Sequence, residues 1–301
     1  PATVEQHYWG KFGEAPYTLD EYALAPKDSV PRNGAWRGVS WWSRDIEIPA
    51  DFRGRKILLH VRGARMRAEV FLNRQLVGYS ILEELPFECD ISRAADPGGR
   101  NHLAIRITNP GGRLDWVDGA TIQWGKVRVE RSHGFGGLDR GIALSAHPMD
   151  GRIADLWVLN RPEALRVRAF VRLEGGSHEN LSISLTDEAT RHRLPAKIRF
   201  ARRGPDGVCE FDVAAKGAKV WALENPALYR LHAAWTSPGG GQSISSVSFG
   251  FRWFAPDGLG RDALFRLNGR RIKLYSAISW GYWGLNGLWP TPDLAEKEAR
   301  Q

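Results

Sequence analysis

The sequence predicts an all-β protein made of two consecutive β-sandwiches. Three observations carry that prediction. Short stretches alternate apolar and polar residues with period two, as in Leu103-Ala104-Ile105-Arg106-Ile107, which buries one face of a strand and wets the other. Turn formers such as Asp96-Pro97-Gly98-Gly99 and Asn109-Pro110-Gly111-Gly112 separate the stretches. No helical periodicity longer than two turns occurs before residue 290, whereas a parallel sheet would need helices between its strands.

In the first sandwich, residues 1–150, Ile57/Leu59/Val61 and Ala68/Val70/Leu72 mark core-facing positions. Pro148-Met149-Asp150-Gly151 reads as its end. In residues 151–250 the alternation resumes through Leu165 to Leu173, Leu181 to Leu185, Phe211/Val213, Leu231 to Trp235 and Val247 to Phe251. About a hundred residues with this strand spacing suit an immunoglobulin-like sandwich. Gly239-Gly240-Gly241 reads as a loose hairpin loop within it.

From residue 251 to 301 the character changes. Phe265 to Leu274 reads as a hairpin whose Asn268-Gly269 supplies the two positive φ angles of a type I′ turn. An aromatic loop follows. Thr291-Pro292-Asp293 then has the form of a helix start, with Glu296 and Arg300 placed to pair one turn apart. The chain stops two turns into that helix, which reads as a cut.

The 301 residues include 42 Lys and Arg against 34 Asp and Glu, giving a formal charge of +8. The excess is scattered in small arginine clusters, among them Arg270/Arg271, and no recognition helix accompanies it, so nucleic acid is not an expected partner. No stretch approaches the ~20 apolar residues of a membrane span. Cys89 and Cys209 fall in different sandwiches, which argues against a disulfide. The eight His have no metal-site spacing, and no nucleotide or cofactor motif is present: Gly134-Phe135-Gly136-Gly137 opens no helix. Glu83-Glu84 read as solvated neighbours, and Asn180-Leu181-Ser182 is a glycosylation triplet.

Several segments, in order, resemble glycoside hydrolase family 2, which contains β-galactosidase and β-glucuronidase. Trp41-Trp42-Ser43-Arg44-Asp45-Ile46-Glu47-Ile48-Pro49 is similar to the family's "W-Y-R-R-x-F-x-I-P" strand. Ala68 to Gly78 is similar to "A-x-V-x-L-N-G-x-x-V-G", with Arg74 in place of the usual Gly. Phe87 to Ile91 with Asn101 to Ile107 matches "F-x-F-D-I … N-x-L-A-V-x-V", and Gly136 to Ile142 resembles "G-G-I-x-R-x-V". Trp221 to Leu231, Phe249 to Arg252 and Phe265 to Leu274 resemble "L-W-x-x-E-N-P-x-L-Y-x-L", "F-G-F-R" and "F-x-L-N-G-K-P-I-x-L". Where β-galactosidase-like members carry "R-G-V-N-x-H-E", this chain has Tyr275 to Gly281, with Trp280 at the usual His position. That departure implies a divergent subfamily.

The resemblance implies a sugar-binding-like jelly roll, then the immunoglobulin-like sandwich, then the truncated beginning of a (β/α)8 barrel. It implies a retaining β-glycosidase whose two glutamates, carboxyls ~5 Å apart, lie beyond Gln301, so the chain itself holds no catalytic residue. It also places Trp280, Tyr282, Trp283, Asn286 and Trp289 on the rim where barrel enzymes keep their sites, as a sugar subsite or as cement between domains. The expected partners are a carbohydrate substrate and the missing catalytic barrel, with a homo-oligomer left open and no cofactor. A periplasmic or secreted setting is favoured over the cytoplasm. The alternative function is a free-standing carbohydrate-binding protein or a surface adhesin.

Overall fold

The computed structural model describes residues 2–3, 38–64, 67–82, 85–109, 121–124, 127–130, 137–138, 140–258, 260, 263–276, 296–297 and 299–300. The chain divides into two compact units, one built on residues up to Ala146 and one spanning His147–Ala277.

The first unit is a jelly-roll sandwich. Its strands are β1 (Gly38–Glu47), β2 (Lys56–Val61), β3 (Arg67–Leu72), β4 (Gln75–Ser80), β5 (Phe87–Asp90), β6 (Arg100–Asn109) and β7 (Ile142–His147). One sheet runs β1-β6-β3-β4 and the other β7-β2-β5. Two short antiparallel ladders, Ala2–Thr3 with Gly137–Leu138 and Thr121–Trp124 with Val127–Glu130, accompany them. The alternating residues fill the core: Ala68, Val70 and Leu72 are fully buried, as are Ile57, Leu59, Val61 and Ile105. Leu58 departs from the alternation and is buried as well, so β2 is covered on both faces there.

Asn101 holds the loops at one end of this sandwich. Its side chain is wholly buried and makes four hydrogen bonds. It accepts from Asn73 Nδ2 at 2.9 Å and the Asp96 N–H at 2.8 Å, and donates to the carbonyls of Asp96 at 2.9 Å and Gly99 at 3.1 Å. Asn73 extends the network to the Ala94 carbonyl and the His102 N–H. A buried amide is tolerated only when satisfied in this way. The β3–β4 turn keeps its two-residue form despite the departure at Arg74: Asn73 and Arg74 have φ of 49° and 69°. Arg74 therefore occupies the left-handed conformation that glycine adopts freely.

The second unit is immunoglobulin-like. Its strands are β8 (Arg152–Asn160), β9 (Arg166–Glu174), β10 (Leu181–Asp187), β11 (Arg193–Leu194), β12 (Lys197–Arg203), β13 (Val208–Ala214), β14 (Tyr229–Thr236) and β15 (Gln242–Phe249). The sheets run β8-β9-β13-β12 and β11-β10-β14-β15, with antiparallel ladders. Between them Val167, Ala169, Val171, Leu231, Ala233 and Trp235 are buried. Trp235 is 1% exposed and donates its indole N–H to the Ser177 carbonyl at 2.8 Å, so its burial stabilises the fold by about 2–3 kcal/mol without stranding a donor. Tyr229, at the start of β14, accepts the Lys219 N–H on its hydroxyl at 2.7 Å, the arrangement of a tyrosine corner.

Two details differ from the sequence-based expectation. The Gly239–Gly241 loop is held rather than loose. Ser237 and Gly241 close it at 2.8 Å, and Asp150 accepts the Gly239 N–H at 2.5 Å. That N–H, above all, keeps the Asp150 carboxyl below the usual carboxylate range. Leu165 lies outside the strand expected to contain it, at φ 61°. Beyond β15 come β16 (Phe254–Asp257), β17 (Leu264–Leu267) and β18 (Arg270–Ile272), one antiparallel sheet. Its β17–β18 turn has Asn268 at φ 51° and Gly269 at φ 82°, as the Asn-Gly pair predicts.

Candidate functional site

Trp280, Tyr282, Trp283, Asn286 and Trp289 lie outside the described residues, and so do Glu83 and Glu84. Glu296 and Arg300 are described and paired at 2.5 Å. Within the described residues the first unit has a broad groove, and the second has a basin and a smaller recess of about 370 Å³ beside Trp235.

In the first unit a groove of about 950 Å³ opens between the edge strands β1 and β7. Leu59, Leu103, Ile105 and Leu138 form its apolar part, and Trp42 and Arg44 stand at its side. Asp45 lies on the same wall. Its carboxyl is held below the usual range by hydrogen bonds from His102, at 2.8 Å, and then from Arg100. A Ser–His–Glu row also crosses this unit's second sheet: His60 lies 2.6 Å from Ser145 Oγ and 3.2 Å from Glu88. Such a row has the order of a nucleophilic relay. Its origin is ladder register, since His60 stands directly opposite Glu88, and none of the three lines the groove.

The second unit's larger recess is a basin of about 480 Å³. Four separate parts of the sequence build it, one of them the segment from Val220 to Glu224. The β8–β9 turn supplies Arg161, Glu163 and Arg166, closed by the Arg161 N–H on the Arg166 carbonyl at 3.2 Å. The segment after β15 supplies Phe251, Arg252 and Trp253, and the β17–β18 hairpin supplies Asn268, Arg270 and Arg271. Asn268 joins the pieces. Its backbone N–H donates to the Trp253 carbonyl at 2.9 Å, its Oδ1 accepts the Trp253 N–H at 3.0 Å, and its Nδ2 donates to the Trp221 carbonyl at 2.8 Å. The Arg252 guanidinium lies 4.5 Å from the centre of the Trp221 ring, a cation–π contact.

Asn268 thus ties the hairpin to Trp221 and to Trp253, which directly follows the Phe249–Arg252 segment. No protein-family model matches the chain. It is similar to a "Beta-glucuronidase" of Formosa agariphila, 25% identical over 171 residues, covering 57% of this chain and 16% of that protein. It is also similar to a "Beta-galactosidase" of Enterobacter cloacae, 26% identical, covering 70% of this chain and 20% of that protein. These relatives by sequence are thus β-glucuronidases and β-galactosidases. A solved β-glucuronidase from Ruminococcus gnavus, in complex with uronic isofagomine, shares its fold with a TM-score of 0.65 at 18% identity, over 99% of this chain and 50% of that one. The chain spans a fifth or less of the two curated relatives.

The hydrogen bonds explain the motif residues in physical terms. Asn73 and Asn101 are loop clamps, Tyr229 is a corner, and Asn268 ties a hairpin to a sandwich. The basin was missed in the sequence because its arginines stand about a hundred positions apart. Arg270/Arg271 looked like one more solvated pair.

Proposed function

We propose that this chain is the sandwich-built, non-catalytic front of a retaining β-glycosidase, with residues from about 251 onward opening its catalytic barrel. The observation that carries the reading is the joint at Asn268, which fixes the β17–β18 hairpin to the immunoglobulin-like sandwich through Trp221 and Trp253. A hairpin anchored in this way sets the position of whatever chain follows it. The substrate is a β-linked glycoside, and the aromatic cluster from Trp280 to Trp289 provides a subsite where indole rings stack on a sugar face. Burying ~50–100 Å² there contributes roughly 1–2.5 kcal/mol.

The test compares this chain with a longer polypeptide that includes a barrel. The 301-residue chain is expected to leave 4-nitrophenyl β-glucuronide and β-galactoside intact, and the longer polypeptide to cleave one of them. Turnover by the short chain above a mock-purified control defeats the proposal. Trp280→Ala and Trp283→Ala in the longer polypeptide should each weaken substrate binding about tenfold. Unchanged kinetics with a lower melting temperature would make the rings structural.

A further inference from the structure

The basin of the second unit carries a surplus of positive charge that the joint at Asn268 does not use. Arg161, Arg166, Arg252, Arg270 and Arg271 line it, against two carboxylates, Glu163 and Glu224. The only ion pair among these residues is Arg161–Glu163, and it is long, at 3.9 Å. Arg166, Arg270 and Arg271 are exposed and make no ion pair among the described residues. Concentrating like charges has an electrostatic cost that an anion would relieve. The backbone adds to the case. Leu165, between Glu163 and Arg166 on the basin wall, has φ 61°, a left-handed conformation that is unfavourable for a residue with a Cβ. Strain of that kind persists where the surrounding structure over-determines it.

The recess suits more than a bare ion. Its 480 Å³ falls within the roughly 300–1,000 Å³ that small ligands occupy. Trp253 and Ile272 are half-buried in its lining, and Leu223 is exposed there, so an apolar face lies beside the guanidinium groups. A planar guanidinium matches a carboxylate in two parallel hydrogen bonds, and a pyranose ring offers a C–H face to the apolar wall. We propose that this basin binds an acidic sugar through its carboxylate, a uronic acid unit, with Arg270 and Arg271 as the principal contacts. The choice of a sugar rests on the glycosidase reading; the anionic character rests on the basin alone.

The test is a titration of the 301-residue chain with glucuronic acid, glucose and glucose 6-sulfate, followed by NMR or calorimetry. Glucuronic acid is expected to bind with Kd on the order of 1 mM, glucose at least about tenfold more weakly, and 0.5 M salt should weaken the acid's binding. Arg270→Ala with Arg271→Ala, at an exposed hairpin, should lower the affinity about tenfold without lowering the melting temperature. Equal binding of glucose and glucuronic acid overturns the proposal. So does full affinity in the double variant. Binding of the sulfate ester alone makes the basin an anion site of another kind and overturns the uronate assignment. None of these outcomes depends on the turnover assay, which judges the glycosidase reading separately.

Discussion

The side chains of Asn101 and Asn268 perform the same operation in different surroundings. Each links loops that the sequence holds apart. Asn101 is wholly enclosed, with all four of its hydrogen-bonding positions used inside one end of the jelly roll. Asn268 is half-buried and lines an open, arginine-rimmed recess. A motif residue of the first kind protects a fold, while one of the second kind also sets the geometry of a surface that a ligand can reach. The same motif strength in sequence therefore covers two different roles, separated only by what the loops enclose.

The comparison can be broken by substitution. The largest effect is expected from Asn101→Ala, which strands the Asp96 N–H and two carbonyls in a dry site. Each unsatisfied buried group costs about 1–3 kcal/mol, so a loss of about 3–4 kcal/mol in denaturant unfolding is expected, with glucuronic acid binding unchanged in the folded protein. Asn268→Ala should cost less, about 2 kcal/mol, because water reaches its partners. It should, however, also weaken glucuronic acid binding by displacing Arg270 and Arg271. Asn268→Gly restores the positive φ without the side-chain bonds, and an affinity as low as that of the alanine variant would assign the loss to those bonds. If both asparagines changed stability alone, the distinction between them would collapse.

The smallest effect sharpens the comparison at the two hairpin turns. Asn73-Arg74 and Asn268-Gly269 share a pair of positive φ angles, yet only the second carries glycine. Arg74 is exposed, so Arg74→Gly removes little packing. It should stabilise the first sandwich by about 0.5–1 kcal/mol, read as a melting increase of a few degrees. A decrease would show that the arginine has a role in the turn that outweighs its strain.

Much of the fold was legible because burial follows alternation so closely. Ala68, Val70 and Leu72 point inward for the same reason that Leu231, Ala233 and Trp235 do, and period two records it directly. The Asn-Gly turn was legible because few residue pairs tolerate its geometry. Leu165 was not, since an apolar residue in phase with its neighbours gives no sign of a left-handed backbone. The first sandwich's groove was equally hidden: it arises where two edge strands stand apart, and edges are decided by sheet order. The basin depends on four remote segments folding together, so arginines that look solvated one by one become a cluster only in space.

Cys89 and Cys209 are the chain's two cysteines, and each is enclosed in the core of a different sandwich. Burial pushes the Cys89 thiol up to about 11 and raises that of Cys209, so neither forms a reactive thiolate while its core is closed. An alkylating reagent can then reach each sulfur only through an opening of its own sandwich. The protein thereby carries two native clocks, one per sandwich, and the ratio of their labelling rates measures how independently the two halves breathe.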